Sequence, residues 1–564
     1  MKKFLLIISV FLCVSTSYSQ SQRLVMLEEF TSATCGPCVS KNTQFHTWEL
    51  QNPDKFTSIY YHVNWPAAGD PMNLANPGEV ATRVSYYMSS SNMYVPYSVL
   101  DGNYYNGSAA GWNMTNINNR YAVPSPFEVQ LMHSVSAAQD TVFSTVLVKC
   151  TQDVAASMTV HNVIIEKWIH FNSAPCASSN GERDFYNVMK KMIPGSAGTN
   201  LPPSMLAGDY VLIEGTWKVG TVYDFTQIAS VGFVQDKGTK EIYQTARSTT
   251  GPIILPYNTD VQTLEVVNML PKTCKNKIAP AVKIRNNGNN PITSMTIKYK
   301  INNGTLSSFT WNGTLASLQK TVVTLPEYIF NLLDQNTLTV YTVSPNNAAD
   351  QYPKNDTLQF NFTTSPVSTS QVKVALRTDN APAETTWEIK NSLNVVVASG
   401  GPYAEPNKLY QQTYTLPQAD CYTFIIHDAG GNGICCANGN GGYEVSSNGT
   451  TIKQGGSFAY SETAEFWMDA PTGTPELSNN NSLSVYPNPM DGSSSVVFFL
   501  KQSNEVHMTL FSAFGEKVAS SSLGFLDAGR QQTTLDSRNL KPGMYVLQIS
   551  TGSEVYSRKV SVVR

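Results

Sequence analysis

Hydrophobic and polar residues follow two different patterns along the chain, and the change lies near Val123. Before it, apolar runs alternate with stretches in which apolar residues recur every three or four positions, as they do in helices. The predicted strands and helices alternate at 23–30, 38–51, 56–65, 78–90, 94–105 and 109–122. This alternation predicts a partly parallel sheet, and therefore an α/β domain over residues 21–122.

After Val123, short strands of alternating apolar and polar residues follow one another, separated by turn residues, which is typical of all-β sandwiches. A chain of 564 residues is also longer than one core can use, so several domains are expected. The fold class is therefore multidomain, with the α/β domain followed by several Ig-like or jelly-roll-like sandwiches. The predicted sandwiches span 123–252, 253–366 (Ig-like), 367–470 and 484–564, with a Pro-, Gly-, Ser- and Asn-rich linker at 471–483.

The first twenty residues, MKKFLLIISVFLCVSTSYSQ, have the features of a secretory signal peptide. Two lysines precede a short apolar run, and small residues follow at the cleavage spacing, so residues 1–20 are predicted to direct export. A lipid anchor on Cys13 is the less favoured alternative, because the residues before it are bulky. No later apolar stretch is long enough to predict a transmembrane span.

The composition narrows the choice of partners and predicts disulfides. Charged residues make up 14% of the chain and the net charge is −3, with no basic stripe, so a nucleic-acid partner is not expected. Of the nine cysteines, eight remain after Cys13, and an even number in an exported chain favours pairing. Cys150 could pair with Cys176. Cys421 could pair with only one of the adjacent cysteines Cys435 and Cys436. The other of these two could reach Cys274 or form a vicinal bridge.

The motif Cys35-Gly36-Pro37-Cys38 lies where a predicted strand gives way to a helix. Pro37 suits a first helical turn, and the positive end of the helix dipole favours a thiolate. Glu29 lies on the preceding strand, and Pro96 begins a later one. The pattern predicts a redox dithiol, with a permanently oxidised structural clip as the alternative. A zinc site is less favoured, because no second Cys or His pair with ligand spacing follows.

These residues resemble the active-site strand, loop and cis-proline of the thioredoxin fold. The resemblance implies that Cys35 is the nucleophile, Cys38 the resolving thiol and Glu29 a buried acid that helps to deprotonate Cys38. It also implies a cis bond before Pro96. In a working centre, Cys35 would be partly exposed and Cys38 shielded. Thr34 stands where the family usually has Trp, which leaves the activity and the redox potential open.

Asp428 and Asn432, in the loop HDAGGNGICC, are the candidate calcium ligands. Asn-Gly runs normally form turns, so turns are favoured over a calcium site and no cofactor is required. The surrounding sequence resembles a β-sandwich module of secreted Bacteroidota proteins, in which this loop is often richer in Asp. His46 and His62 lack a partner motif and are interpreted as surface or hydrogen-bonded side chains.

The C-terminal segments LSVYPNPMDG, LKPGMYVLQIS and SRKVSVV closely resemble the type A sorting domain of the Bacteroidota type IX secretion system. The resemblance implies two partners, a translocon and a sorting receptor. It also implies delivery to the cell surface, in the outer leaflet of the outer membrane, or to the extracellular space. The sorting motif comprises Tyr486, Pro487, Asn488, Pro489, Lys541, Pro542, Gly543 and Tyr545.

Four segments within residues 23–250 are LVMLEEFTSATCGPC, NVIIEKWIH, DFYNVMKKMIPG and SVGFVQDKGTKEIYQTA. They are similar to the outer-membrane-protein-twenty-eight-related family of Bacteroidota, which joins a thioredoxin-like part to a β-sandwich. That resemblance implies a surface location and no defined chemistry. Two functions are therefore predicted. The first is a binding or adhesion protein for an unknown surface ligand. The alternative is an extracytoplasmic thiol–disulfide oxidoreductase that uses Cys35 and Cys38 on an unknown thiol partner. Serine-hydrolase, zinc-protease and nucleotide-binding motifs are absent from the sequence.

Overall fold

The computed structural model describes residues 20–469, 483–500, 502–551 and 555–563. The predicted signal peptide, with Cys13, and the predicted linker fall almost entirely outside the described residues. The chain divides after Pro256 into two compact units, each of which is described by itself. Within the described ranges, no helix is long and apolar enough to cross a membrane.

The first unit begins with the alternation of strands and helices that the sequence predicts, and continues with long β-strands. Its helices are α1 (Gly36–Gln51), α2 (Pro71–Ala75), α3 (Pro77–Tyr87) and α4 (Met114–Tyr121). Its strands are β1 (Val25–Thr31), β2 (Phe56–His62), β3 (Tyr97–Leu100), β4 (Tyr105–Ser108), β5 (Phe127–Val135), β6 (Thr141–Cys150), β7 (Met158–His170), β8 (Asp184–Ile193), β9 (Thr199–Asn200), β10 (Tyr210–Lys218), β11 (Ile228–Asp236) and β12 (Ile242–Thr249).

A single sheet runs through the first unit. Strand β1 pairs in parallel with β2 and antiparallel with β3, which pairs antiparallel with β4. Beyond β2, the sheet continues into β8 through the register pair Tyr60 and Val188. The described strands of this sheet follow the order β10-β6-β5-β12-β11-β7-β8-β2-β1-β3-β4, and β9 joins at β7. The α/β part and the β part of the unit therefore share one hydrogen-bonded sheet.

The boundary between residues 122 and 123 stays a prediction, and the described residues on its two sides share one buried cluster. Met26 and Phe30 of β1 belong to the same buried cluster as Val163 of β7 and Phe233 of β11. Residues on both sides of position 122 therefore build one hydrophobic core. Among the described strands, β2 pairs with β1 on one edge and with β8 on the other, so β8 links the two parts of the sheet.

The second unit consists of β-strands with short connections. Its strands are β13 (Val261–Val266), β14 (Lys272–Thr273), β15 (Lys277–Ile278), β16 (Ala281–Asn286), β17 (Ile292–Ile301), β18 (Ser307–Leu315), β19 (Lys320–Thr324), β20 (Tyr328–Ile329), β21 (Gln335–Val343), β22 (Thr357–Thr364), β23 (Val367–Ser368), β24 (Gln371–Arg377), β25 (Thr385–Lys390), β26 (Val396–Gly400), β27 (Leu409–Thr415), β28 (Asp420–Asp428), β29 (Gly442–Ser447), β30 (Thr450–Gly455), β31 (Ser461–Met468), β32 (Ser484–Tyr486), β33 (Ser493–Leu500), β34 (Asn504–Ser512), β35 (Lys517–Leu526), β36 (Gly529–Asp536), β37 (Gly543–Thr551) and β38 (Val555–Val562).

These strands form three successive sandwiches, each with its own buried cluster. In the first, the sheet β13-β16-β19 faces β14-β22-β21-β17-β18 across a shared core. In the second, β23-β31-β28-β25-β26 faces β27-β24-β29-β30. In the third, β32-β33-β36 faces β35-β34-β37-β38. Alternation of apolar and polar residues along a strand is the sequence signal that predicts these sandwiches. In β17 and β21 it corresponds to buried residues that alternate with less buried ones.

Candidate functional site

The Cys35–Cys38 loop joins strand β1 to helix α1. Cys35 is the residue before the helix, Pro37 lies in its first turn, and the backbone N–H of Cys38 donates to the carbonyl of Cys35 at 3.2 Å. The two cysteines form a disulfide with a Cα–Cα distance of 5.4 Å. Both are buried: Cys35 is 1% exposed and Cys38 is 0% exposed. The partial exposure of Cys35 that a working centre would require is therefore not found.

The burial of Cys35 is explained by the cover segment, which we define as residues 171–183 between β7 and β8. Asn180 in this segment donates its backbone N–H to the carbonyl of Ala33 at 2.8 Å and its side-chain Nδ2 to the carbonyl of Cys35 at 2.7 Å. Cys176 and Phe171 of the same segment pack against a buried cluster that contains Ala33. The cover segment thus packs directly against the cysteine loop and is bonded to the backbone of Cys35.

Glu29 lies on β1 and is completely buried. Its Oε2 accepts a hydrogen bond from the hydroxyl of Ser98, the residue that faces it on β3. Its Oε1 has no hydrogen-bond partner among the described residues. Burial raises the pKa of Glu29 to about 8, although the Ser98 hydrogen bond and the charge of Lys41 act in the opposite direction. Glu29 is therefore largely protonated at neutral pH and could exchange a proton near that pH.

We expect a Glu29→Gln substitution to change how stability depends on pH. Between the usual value of 4.5 and about 8, the unfolded chain ionises Glu29 while the folded chain keeps the proton. Wild-type stability should therefore fall as the pH rises through this range, and the glutamine variant should lack that fall. Melting temperatures at pH 5 and pH 8 would test this, with Glu128→Gln as a control. A difference between variant and wild type that is the same at both pH values would contradict the prediction.

Pro96 precedes β3, and the Val95–Pro96 peptide bond is cis, as the sequence predicts. The carbonyl of Pro96 accepts a hydrogen bond from the backbone N–H of Ala109 at 3.3 Å. Strand β3, which begins at the next residue, pairs with β1, and β1 leads into the cysteine loop. Glu29 therefore lies on the strand that leads into the cysteine loop, and Pro96 leads into the neighbouring strand β3.

His62 and Asp70 form a buried pair beside the cysteine loop. The Nδ1 atom of His62 lies 2.8 Å from Oδ2 of Asp70, and the same oxygen accepts the backbone N–H of Ala33 at 2.7 Å. Burial raises the pKa of Asp70, but the charge and hydrogen bond of His62 outweigh it and hold the pKa below its usual range. His62 is thus a hydrogen-bonded core side chain. His46 is half-buried and stacks on the ring of Tyr186, with centroids 3.5 Å apart.

Sequence reasoning missed Asn180, Asp70 and Glu182, which support the loop from distant parts of the chain. Glu182, at the end of the cover segment, accepts hydrogen bonds at 3.1 and 3.2 Å from Asn42 of α1. Burial raises the pKa of Glu182. The sequence offers no local signal for these contacts, because each of them joins residues that are far apart in the chain.

The predicted pairing of Cys150 with Cys176 is wrong, since both cysteines are free. Cys150 is buried in its own sheet, and its thiol contacts the carbonyl of Gln152 at 2.7 Å. Cys176 instead packs against the cluster around Ala33.

The other candidate cysteines form two disulfides. Cys274 pairs with Cys421, and Cys435 pairs with Cys436 as a vicinal bridge. The expectation that Cys421 bonds one of the vicinal pair is therefore wrong, whereas the vicinal alternative is found. Cys274 lies directly after β14 and Cys421 on β28, and the contact between β14 and β31, the neighbour of β28, brings the two cysteines together.

The candidate calcium loop has the hydrogen bonds of a turn. Oδ2 of Asp428 accepts the backbone N–H groups of Asn432 at 3.0 Å and of Gly433 at 3.1 Å. Gly433 has a φ of +67°, which favours glycine. Asp428 therefore closes its own loop, and calcium binding at Asp428 and Asn432 stays a prediction.

The predicted sorting residues lie at two places in the last sandwich. Tyr486 ends β32, and Asn488 bridges to β38: its Nδ2 donates to the carbonyl of Lys559 at 3.2 Å and its Oδ1 accepts the N–H of Ser561 at 2.7 Å. In the second segment, the hydroxyl of Tyr545 donates to the carbonyl of Lys541 at 2.7 Å and closes the turn that contains Pro542 and Gly543. Pro487 and Pro489 both follow cis peptide bonds.

Residues 484–563 match the secretion system C-terminal sorting domain. This C-terminal sorting domain indicates that the chain is cargo of the type IX secretion system. The match coincides with the last sandwich, and it includes both segments of the predicted sorting motif. The sorting domain implies interaction with the type IX secretion machinery and export to the cell surface or the extracellular space.

Other comparisons give weak similarities. HBP35 of Porphyromonas gingivalis is 12% identical over 61% of this cargo protein and 99% of HBP35, with a TM-score of 0.33. A protein of Agrobacterium tumefaciens is 13% identical over 42% of this chain and 99% of its own, with a TM-score of 0.29. A tandem repeat of a large adhesion protein is 11% identical over 78% and 99%, with a TM-score of 0.13. These TM-scores are too low to support a fold or a function, and no curated protein matches the chain.

Proposed function

We propose that this type IX cargo is a surface or secreted binding protein of the adhesion class. In this proposal, residues 21–122 are a thioredoxin-like scaffold in which the Cys35–Cys38 disulfide is a structural clip. The observation that carries it is the burial of the cysteine that a partner would have to attack, since Cys35 is 1% exposed beneath the cover segment. A buried disulfide held by backbone hydrogen bonds is typical of structural rather than exchanging bridges.

The three sandwiches of the second unit also support a binding role. They present long sheets with solvent-facing strands, and the middle strands bury only alternate side chains. Scaffolds of this kind carry ligands on exposed faces and loops. The finer steps of the secretion route are part of the same proposal. The translocon and the sorting receptor read the folded sorting domain, and the protein is then either released to the extracellular space or attached at the outer leaflet of the outer membrane.

One observation favours the second candidate, a thiol–disulfide oxidoreductase. Glu29 is buried on the strand that leads into the cysteine loop, has one oxygen without a partner among the described residues, and has a pKa of about 8. A protonated carboxyl of this kind could exchange a proton with a thiol at neutral pH. The reaction would require the cover segment to move away from Cys35, since Asn180 binds the carbonyl of that residue.

A redox titration of the full chain would separate the two candidates. If the disulfide is a structural clip, we expect the Cys35–Cys38 pair to resist reduction at potentials down to about −300 mV, because structural disulfides typically have potentials below that value. The full chain should then fail to reduce insulin, and Cys35→Ser should lower the melting temperature only. Cys176→Ser is the matched control, because it removes a free thiol from the cover segment and leaves the disulfide in place.

The opposite result is equally specific. If the pair is reduced well above −300 mV, and insulin reduction is lost in Cys35→Ser but kept in Cys176→Ser, the oxidoreductase replaces the clip.

A further inference from the structure

A cavity of about 340 Å³ lies between helix α3 and strands β7 and β11 of the first unit. Its volume falls in the range of small-ligand sites, roughly 300–1,000 Å³. Residues of α3, β7, β11 and the loop after β8 converge on it. Its lining includes Arg83, Tyr86, Thr159, His161, Ser196 and Lys237.

Two buried polar atoms at this cavity have no hydrogen-bond partner among the residues that the structure describes. They are Oγ1 of Thr159 and Nδ1 of His161. The two residues are 3% and 6% exposed, respectively. Both residues face the cavity from β7. Buried polar groups are normally hydrogen-bonded, because desolvation without a partner costs free energy. A ligand with acceptor and donor atoms would supply the missing partners.

The lining also carries a positive charge that no acidic residue among the described ones neutralises. Arg83 is compensated, because its Nη2 lies 2.6 and 2.7 Å from the two carboxylate oxygens of Glu28. Lys237 is exposed at the rim and makes no ion pair with any described residue. Burial, together with the charges of Arg83 and Lys237, holds the pKa of His161 well below its usual range. The imidazole is therefore neutral at neutral pH and offers one N–H donor.

We propose that this cavity binds the oxyanion group of a small ligand, a carboxylate or a phosphate, through Lys237, Thr159 and His161. The ammonium of Lys237 supplies the charge, and the Thr159 hydroxyl and the neutral imidazole supply hydrogen bonds that the protein itself leaves unmade. The ring of Tyr86, which also lines the cavity, packs against the body of the ligand. The site is independent of the cysteine loop and of the sorting domain.

Isothermal titration calorimetry on the full chain tests the proposal with two probes, inorganic phosphate and acetate, at constant ionic strength. We expect saturable binding of at least one probe, and the probe that binds identifies the oxyanion. Lys237→Met should weaken that binding at least about tenfold, because a charge-assisted contact is lost. Lys237 is exposed, so its substitution should leave the melting temperature unchanged. Lys167→Met, which changes another exposed lysine of the same unit, should bind as the wild type does.

Thr159→Val is the second variant, since it removes the buried hydroxyl and keeps the side-chain shape. It should weaken the same binding without lowering the melting temperature, because that hydroxyl has no partner among the described residues. The proposal is overturned if neither probe binds saturably, if Lys237→Met binds as tightly as Lys167→Met, or if a folded Thr159→Val variant binds like the wild type.

Discussion

Deleting residues 484–564 should leave the protein in the periplasm. The deleted segment is the sandwich that matches the sorting domain, and it has its own core around Leu547 and Ile549. Removing a domain with its own core should leave the preceding sandwiches folded. The deletion should therefore remove the sorting signal without lowering the stability of the rest of the protein. Immunoblots of periplasm, outer membrane and medium would measure the change.

Two point variants test whether export requires a folded sorting domain or only the presence of its sequence. Leu547→Asp places a carboxylate at a fully buried position on β37 and should abolish export by unfolding the domain. Met544→Asp introduces the same charge on the same strand at a position that is 52% exposed, and the domain should stay folded. Normal delivery of the truncated chain to the medium or surface would refute the sorting role.

Loss of the Cys274–Cys421 disulfide should strongly destabilise the second unit. This bridge links cysteines 147 residues apart and ties the first two sandwiches of the unit together. A cross-link that closes a loop of this length lowers the entropy of the unfolded chain by an amount worth about 5 kcal/mol, and measured losses are typically about 2–5 kcal/mol. We therefore expect Cys274→Ser/Cys421→Ser to unfold the second unit at markedly lower denaturant concentration.

Calorimetry and urea unfolding of the full chain would follow this effect. The transition of the first unit should be unchanged, which gives an internal reference. Cys176→Ser serves as a matched control, because it replaces a free, half-buried thiol and leaves every disulfide intact. The prediction would be contradicted if the free energy of unfolding of the second unit in the double variant lay within about 0.5 kcal/mol of the wild-type value.

The local elements around the cysteine loop could be predicted from the sequence. Residues 38–51 were expected as a helix and the structure has Gly36–Gln51, and the predicted strand 56–65 is found at Phe56–His62. These elements follow from the spacing of apolar residues within one segment, which is a local property. The cis bond before Pro96, which is found, was implied by the resemblance to the thioredoxin fold.

The features that decide access to the disulfide could not be predicted in this way. Asn180 binds Cys35 from 145 residues away, and Asn-rich polar stretches occur throughout the chain without such a role. Pairing of Cys274 with Cys421 depends on which strands of different sheets come together, and the alternation of apolar residues does not encode that choice. The same holds for the pairing of β2 with β8, which joins residues on the two sides of position 122.

That last pairing also limits how this protein could be rearranged by recombination. Every residue of β2 is buried, and one of its edges is satisfied by β8 from the following part of the chain. A gene segment cut after residue 122 would encode a strand with an open, apolar edge, which is a template for self-association. We therefore expect recombinant proteins to keep the cysteine loop only when residues 123–256 are retained with it, whereas the sorting domain has a separate core and should tolerate transfer to another protein.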